Sequence, residues 1–555
     1  MLLSRLSVVA VVAVVLSCGG SSPQPAALSQ RWVAPSIMSH VPAESPYLFA
    51  VLEPISDLQR RRMLRGVDMQ LAKMMKALDA MRDNADSARQ PWQRALLAFG
   101  DEVRGKDAAG WVEHFGIDPR GRLALYGMSV WPVARLELAD PARLSAAIER
   151  IATASGAPPP KHALEGRSYW QIDFRKFSLI IAVVDREAVA ALLPRAILDT
   201  ALPEVLGLRP PAHSLAGTAT VPELLARHHM VGVLLGYLDA HNLVDIFTGA
   251  HPGPLDAPLR REMPQVSPAC RSEIDRVAAL APRLVLGYHR FDDAGFDSSF
   301  AFELDPSVTA ALRKLRTTVP EVTSRTAGHP LVAMGAAVDP DQLLAWLGNV
   351  TRQLHDHPFQ CPWFTDFNDA GNELADKLAT PIPPTWRGLR GFAMTIDDAT
   401  ILPPSVTGHV LISGDHVADL VQSLAGTIPQ IAGIPLTRDG RPIALPTQQL
   451  GLPVPAHFAL TADRLVIAAG TGSERRAAEH LTTRPPSQPS PLFTMEFDVP
   501  RFQKLLAALG QSPIQDLSWV RDLGFGLDVD DAGLSLDFWG TWQATPAEIA
   551  TPPKP

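Results

Sequence analysis

The sequence predicts an α+β fold in which two duplicated halves each form a largely antiparallel sheet with helices packed on one face. One observation is a recurring order of buried strand, Asp stop and amphipathic helix, clearest in residues 331–350. A second is a hairpin pattern that occurs twice, in residues 286–304 and 524–542. A third is the alternation of apolar and polar residues, which is typical of strands with one solvated face.

The strand–stop–helix order follows from local chemistry. Residues 331–338 form a short apolar run of the kind found in covered strands. Asp339 is expected to accept hydrogen bonds from the first N–H groups of the next helix, and Pro340 suits the first turn of that helix. The same order recurs in five further segments: 48–58, 132–151, 231–247, 409–424 and 492–510.

The hairpin segments share the tetrapeptide Asp-Asp-Ala-Gly, at 292–295 and 530–533. Asp and Gly favour tight turns, so both glycines are expected to adopt a positive φ. Phe300 and Phe538 take the same position after each turn and are expected to be buried beneath helices. Earlier segments of the first half correspond to segments of the second half in the same chain order. For example, residues 179–193 correspond to residues 465–481.

This preserved order sets the predicted domain organisation. A first α+β half is expected at 41–304 and a second at 330–542, with a linking helix and loop at 305–329. The Pro-rich end, residues 543–555, is expected to be a disordered tail.

Length and composition limit the function classes. A chain of 555 residues is long enough for two or more domains with sizeable cores. With a net charge of −8, nothing in the composition suggests nucleic-acid binding, so no nucleic acid is expected as a partner. Charged residues make up 19% of the chain, below the usual quarter, which permits an apolar binding surface.

The N-terminus carries the most specific signal in the chain. Arg5 precedes an apolar stretch, residues 6–16, that is shorter than the about 20 residues a bilayer-spanning helix needs. The stretch ends in Val-Leu-Ser-Cys18. It resembles a bacterial lipoprotein signal, and the resemblance implies cleavage after residue 17 and lipidation of Cys18. Residues 18–40 would then be the lipidated Cys and a flexible tether. An ordinary signal peptide with an unrelated cysteine is the alternative.

Two features extend the resemblance to lipoproteins of the Gram-negative envelope. Gly19 follows Cys18 where an Asp would retain a lipoprotein at the inner membrane, so the resemblance implies the outer membrane. The phrase VPAESPY, residues 41–47, resembles the start of uncharacterised Gram-negative envelope lipoproteins. That family has no known activity. The resemblance therefore implies a membrane partner through the N-terminal lipid, and an envelope protein or lipid as a further partner, but no reaction.

Candidate metal ligands occur in two loose groups. His355, His357 and Cys361 form one, and imidazole and thiolate suit zinc or copper. A second group comprises His228, His229 and His241. Neither has the ligand spacing of a known zinc site, so no metal site is predicted.

Cofactor and catalytic motifs are incomplete. A turn with Gly470, Gly472 and Ser473 could offer N–H groups to a phosphate, but it matches neither the P-loop nor the dinucleotide fingerprint. The chain has no Gly-x-Ser-x-Gly elbow and no His-Glu-x-x-His helix. No cofactor and no catalytic residue are therefore predicted.

Two cysteines remain besides Cys18. Cys270 and Cys361 are an even pair, which can form a disulfide in an oxidising compartment. Two buried free thiols are the alternative.

These observations favour a lipid-anchored envelope protein that acts as a non-catalytic binding or scaffolding module. Two alternatives stay open. One is a carrier or sensor of an apolar ligand that uses a groove between the halves. The other is a metal-dependent envelope enzyme that uses the His355 and His357 region.

Overall fold

A computed structural model describes the protein at residues 33–83, 91–156, 158–250, 253–262, 266–326, 328–426, 434–448, 451, 453–512, 517 and 519–543. The predicted signal peptide, Cys18 and most of the predicted tail lie outside these residues. The chain divides into two compact units, the first containing residues up to Ser267 together with Ile274–Ser298, and the second containing Pro268–Glu273 and residues from Ser299 onward. The predicted linking segment 305–329 thus belongs to the second unit.

The first unit contains short strands interspersed with helices of varied length. Its strands are β1 (Tyr47–Val51), β2 (Leu123–Met128), β3 (Trp131–Glu137), β4 (Lys161–Leu164), β5 (Arg167–Phe174), β6 (Phe177–Val184), β7 (Glu187–Pro194), β8 (Val231–Asp239), β9 (Arg283–Phe291) and β10 (Gly295–Glu303). Its helices are α1 (Asp57–Asp83), α2 (Pro91–Val103), α3 (Ala108–His114), α4 (Pro141–Ala154), α5 (Leu198–Val205), α6 (Thr220–Arg227), α7 (Ala240–Thr248), α8 (Ala257–Glu262) and α9 (Pro268–Leu280). The unit boundary falls within α9 and within β10.

The second unit repeats this mixture. Its strands are β11 (Val332–Ala337), β12 (Leu389–Thr400), β13 (Ser405–Gly414), β14 (Ile443–Ala444), β15 (Ala456–Leu460), β16 (Arg464–Ala469), β17 (Phe493–Asp498), β18 (Val520–Val529) and β19 (Gly533–Trp542). Its helices are α10 (Pro306–Arg313), α11 (Pro340–Asp356), α12 (Thr365–Leu378), α13 (Pro384–Arg387), α14 (Val417–Ala425), α15 (Ser473–Leu481) and α16 (Val499–Ala508). Helices account for 39% and strands for 30% of the described residues, and this mixture confirms the predicted α+β class.

Strand order follows the same scheme in each unit. The first unit has the order β4-β5-β6-β7-β3-β2-β1-β8-β9-β10. The second unit has the order β14-β15-β16-β13-β12-β11-β17-β18-β19. Each strand pair with a described register is antiparallel, as predicted. In both units the first strand lies between the second strand and the strand that precedes the last hairpin.

Asp residues cap the N-termini of the helices at the strand-to-helix boundaries that the sequence predicts. Asp339 accepts hydrogen bonds from the N–H groups of Asp341 and Gln342, at 3.0 and 3.1 Å, and caps α11. Asp140 and Asp498 cap α4 and α16 in the same way. Each cap is followed by a Pro in the first helical turn, where the missing N–H costs nothing.

Core residues lie on both faces of the second sheet. On one face Ala393, Leu411 and Val466 pack against α15. On the other face Ile412 and Phe458 pack near α14. Helices therefore cover both faces of this sheet, where the sequence pattern predicted cover on one.

The two Asp-Asp-Ala-Gly segments form hairpin turns. Asp292 Oδ1 accepts hydrogen bonds from Ala294 N and Gly295 N, both at 2.9 Å. Asp530 Oδ1 accepts the corresponding bonds in the second hairpin, at 2.8 and 3.0 Å. Of the two turn glycines, Gly533 has a positive φ, at 149°, and Gly295 does not. The prediction is therefore wrong for Gly295. At Gly533 a Cβ atom would lie 2.0 Å from the carbonyl oxygen of Phe302, so a side chain is excluded.

The predicted burial of Phe300 is wrong, because this side chain is 40% exposed. Strand β10 turns Ser299, Ala301 and Glu303 towards the buried side. Phe300 contacts Phe538 edge to face, with ring centroids 5.9 Å apart, and Phe538 is half-buried. Alternation fixes which residues share a face of a strand, but it does not tell which of the two faces is covered.

The predicted correspondence between residues 179–193 and residues 465–481 is also wrong, because it is displaced by one strand. Residues 465–481 form β16 and α15, whereas residues 187–194 form the strand β7 after a turn at Asp185 and Arg186. By place in the sheet β16 corresponds to β7, because each pairs with the third strand of its unit. An apolar run with a central turn fits a hairpin as well as a strand and a helix.

Among the described residues, no helix has both the length and the apolar character that crossing a bilayer requires.

Candidate metal centre

Three side chains from separate segments of the second unit meet at one point. Glu321 lies in the loop before β11, His409 lies on β13, and His480 lies on α15. His409 Nε2 donates to Glu321 Oε2 and His480 Nδ1 donates to Glu321 Oε1, each at 2.6 Å. One carboxylate thus bridges two imidazoles.

A tight turn holds Glu321 in place. Val319 and Val322 on either side are fully buried, and Val322 N donates to Val319 O at 3.2 Å. Glu321 itself has a φ of +68°, in the left-handed region that a residue with a Cβ seldom occupies. Such a conformation persists only where surrounding packing fixes it, and here it directs the carboxylate at both rings.

The two imidazoles lie against each other. Their ring centroids are 3.5 Å apart and their planes differ by 19°. His409 is deeply buried on β13, where its direct neighbours on the adjacent strands are Thr395 and Ala468. These small side chains leave room for the stacked pair.

The carboxylate of Glu321 is strongly favoured over its acid form. Burial alone raises its pKa, but the hydrogen bonds from His409 and His480 outweigh burial and lower the pKa to about 2. Thr483 Oγ1 donates a third hydrogen bond to Glu321 Oε1 at 3.1 Å. Among the described residues, no Lys or Arg forms an ion pair with this carboxylate.

The donor atoms suit a metal ion. The ligand atoms of the three residues all lie within 4.8 Å of one another, and no other such group of three occurs in the described part of the chain. Imidazole nitrogen and carboxylate oxygen are ligands of zinc and of other divalent transition metals. With three protein ligands, a tetrahedral ion keeps one position open for water or another ligand.

His409 lacks one feature of many metal sites. Its Nδ1 atom is buried and has no hydrogen-bond partner. Liganding imidazoles usually donate their second N–H to a carboxylate or carbonyl group, which fixes the ring and strengthens the metal bond. The missing partner therefore favours weak, exchangeable binding.

The structure does not bring together the two histidine groups that the sequence suggested. His355 and His357 are exposed at the end of α11. His228 is buried, whereas His241 is exposed on α7. Neither group forms a cluster of ligand atoms within the described residues.

Cys361 is paired with Cys270 in the second unit. Their Cα atoms lie 4.5 Å apart, within the range that a disulfide spans, and both residues are buried. Glu273 Oε2 also accepts a hydrogen bond from Cys361 N at 2.8 Å. Cys361 is therefore placed as a structural residue rather than a metal ligand.

The Gly-rich turn before α15 engages Ser473 in hydrogen bonds within the turn and to β15. Gly470 and Gly472 have positive φ values of 90° and 73°. Ser473 N donates to Gly470 O at 3.1 Å, and the Ser473 side chain is hydrogen-bonded to His457. The turn thus uses its own polar groups internally.

Sequence reasoning missed Glu321, His409 and His480, because long stretches of chain separate them. One signal was present: His409 lies within an apolar strand, where a polar residue needs a buried partner. The partner could not be read from the pattern. The chain matches no protein-family model, and no match was found among curated proteins or among solved structures.

Proposed function

We propose that the protein is a lipid-anchored, non-catalytic protein of the bacterial envelope whose second unit binds a divalent transition-metal ion. The observation that carries the metal site is the convergence of two imidazoles on one buried carboxylate, with all ligand atoms within 4.8 Å. The anchor is proposed from the sequence around Cys18, and the outer membrane from Gly19.

The donor set narrows the choice of ion. Ca²⁺ and Mg²⁺ take oxygen ligands, so two imidazoles disfavour them. Zn²⁺ and its neighbours among divalent transition metals accept imidazole nitrogen and carboxylate oxygen together. The ion would take the place of the two imidazole protons that face Glu321, and it would neutralise the charge of the carboxylate.

The first unit offers an internal comparison. His409 corresponds to Val133, because β13 and β3 have the same place in the strand order and the same register. Glu321 corresponds to His40, which also lies in a turn flanked by buried residues. Near His40, the buried guanidinium of Arg135 donates to Glu187 Oε2 and Val205 O, both at 2.7 Å. At this place the first unit has a single imidazole beside an Arg–Glu pair, whereas the second unit has two imidazoles on one carboxylate. This donor set is therefore specific to the second unit, which supports a functional reason for it.

We also propose that the two units derive from a duplicated ancestor. The support is their shared strand order and the matching Asp-Asp-Ala-Gly turns. An experimental structure tests this proposal. Residues 41–304 should superpose on 330–542 over nine corresponding strands, and a different order in either unit would contradict common descent.

Zinc titration of the full-length protein tests the metal site. Protein purified in detergent and stripped with a chelator should bind one Zn²⁺ per chain by calorimetry. His480→Ala, which removes the more exposed imidazole, should abolish this binding. His457→Ala is the matched control, because His457 contacts the same helix through Ser473 but lies outside the cluster.

Two outcomes contradict the metal proposal. One is an absence of zinc binding by the wild-type protein. The other is equal binding by the wild type and His480→Ala. In either case the three side chains only join Glu321, β13 and α15 structurally.

A further inference from the structure

Three methionines lie side by side on one face of the second sheet. Met334 on β11 is the direct cross-strand neighbour of Met394 on β12 and of Met495 on β17. Direct neighbours in an antiparallel sheet project to the same face, with Cβ atoms about 4.5–5.5 Å apart. All three side chains are half-buried, so they are neither sealed in the core nor fully in solvent.

This spacing allows the sulfur atoms to converge. Methionine has three rotatable side-chain bonds, so its thioether can move sideways by several ångströms. Met334 lies in the middle, and the other two can lean towards it from either side. Three thioethers can thus surround one small ion above β11.

The surroundings of the methionines are apolar. Continuing the same row, Met394 is followed by Val410, and Met495 is followed by Phe525. No charged side chain occupies these five positions. Such a site cannot compensate a divalent ion, whose burial without counter-charges costs many kcal/mol. A monovalent ion with a preference for sulfur fits it.

The corresponding row in the first unit contains no sulfur. By strand order and register, Met334 corresponds to Phe49, Met394 to Leu125 and Met495 to Gly236. The fold can fill this row with hydrocarbon alone. The use of three thioethers in the second unit therefore calls for a reason besides packing.

We propose that Met334, Met394 and Met495 form a thioether site for a soft monovalent ion, Cu(I). Thioether and thiolate ligands select Cu(I) over harder ions. Thioethers, unlike free thiols, also cannot be lost to disulfide formation in an oxidising compartment. The site is separate from the Glu321 cluster, because His409 and Val410 are successive residues of β13 and so face opposite sides of the sheet.

Methyl NMR with Ag(I), a redox-stable analogue of Cu(I), tests the site. The protein is labelled at its methionine methyl groups, and each signal is assigned by a Met→Leu variant. One equivalent of Ag(I) should shift the signals of Met334, Met394 and Met495 and leave the others in place. An anaerobic Cu(I) competition titration should give the same stoichiometry.

Isosteric variants separate binding from folding. Met334→Leu keeps the side-chain volume, so the fold should survive, and it should weaken Ag(I) binding about 10-fold or more. Met75→Leu, at a half-buried methionine of α1, is the control and should bind as wild type. Glu321→Gln should also retain the Ag(I) response, which keeps this test independent of the zinc proposal.

Three results would overturn the proposal. The first is an absence of shifts at the three methionines. The second is a comparable shift at most methionines, which indicates unspecific binding. The third is unchanged Ag(I) affinity in Met334→Leu with an intact fold. Each would leave the three methionines as core fillers.

Discussion

The imidazole rings of His409 and His480 stack with centroids 3.5 Å apart, and each donates to a different oxygen of Glu321. Nearly parallel rings direct their ring nitrogens side by side at the carboxylate. A metal ion bound to both nitrogens would require the rings to tilt apart, since each lone pair lies in its ring plane. Glu321 holds the two rings in this stack by accepting one hydrogen bond from each.

Replacing Glu321 with Gln should destabilise the protein and remove zinc binding. The neutral amide loses the charge that both imidazoles contact, and its NH₂ group cannot accept one of the two hydrogen bonds. A buried donor without a partner costs about 1–3 kcal/mol. Chemical denaturation would measure the loss. Glu479→Gln on the exposed side of α15 is the control and should leave stability and zinc binding unchanged.

The first hairpin should show a defined pH dependence. Burial opposes ionisation of Asp292, but the hydrogen bonds from Arg290 and from the N–H groups of Gly295 and Ala294 lower its pKa below the ordinary 3.8. A lowered folded-state pKa gives stability that is present above the unfolded value and is lost as pH falls through the folded value. Asp292→Asn should therefore be less stable than wild type at neutral pH.

The stability gap between wild type and Asp292→Asn should close as the pH falls below about 3.8. Denaturation midpoints measured from pH 7 to 2 would check this closure. Asp293→Asn, a change at the next residue of the same turn, is the control. A gap that stays constant over the whole range would contradict the assigned role of the charge.

Replacing Gly524 and Gly348 with Ala should change the stability of the protein in opposite directions. At Gly524 on β18 a Cβ atom would lie 2.3 Å from the Trp539 indole, so Gly524→Ala should destabilise by about 1–3 kcal/mol. At Gly348 in α11 the same atom meets nothing within 4 Å, so Gly348→Ala should stabilise by up to about 1 kcal/mol. Thermal melts of both variants provide the comparison. A Gly524→Ala variant as stable as wild type would contradict the packing at Trp539.

Cys18→Ser should abolish the proposed lipidation and with it the proposed attachment to the membrane. A serine cannot form the thioether bond to diacylglycerol, and the described residues contain no bilayer-spanning helix to replace the lipid. Fractionation of cells and mass spectrometry of the mature N-terminus would measure both effects. Retention of the variant in the membrane with an uncleaved signal would indicate an ordinary hydrophobic anchor.

The pair Cys270 and Cys361 should be crosslinked in the unreduced protein. Peptide mapping without reductant should recover one peptide pair that contains both residues. The crosslink closes a sequence separation of 91 residues, so its loss through Cys361→Ser should destabilise by roughly 4–5 kcal/mol in the chain-entropy model. Recovery of two free thiols would instead assign both residues to core packing.

The sequence alone determined the features that depend on neighbouring residues. Asp339 and Pro340 start α11 because a carboxylate can bond free N–H groups a few residues away. The turn after Asp292 follows from the same short-range chemistry, as does the antiparallel pairing of the strands that flank it. These interactions span a few residues, so a local pattern specifies them.

Tertiary structure decided everything that depends on distant partners. Glu321, His409 and His480 meet because strand order brings β13 and α15 to one turn, and no spacing in the chain encodes that meeting. The exposure of Phe300 depends on which face of β10 is covered, and alternation leaves this open. Met334, Met394 and Met495 are neighbours only through register. Sheet pairing joins residues far apart in sequence, so the candidate sites lie beyond the reach of local patterns.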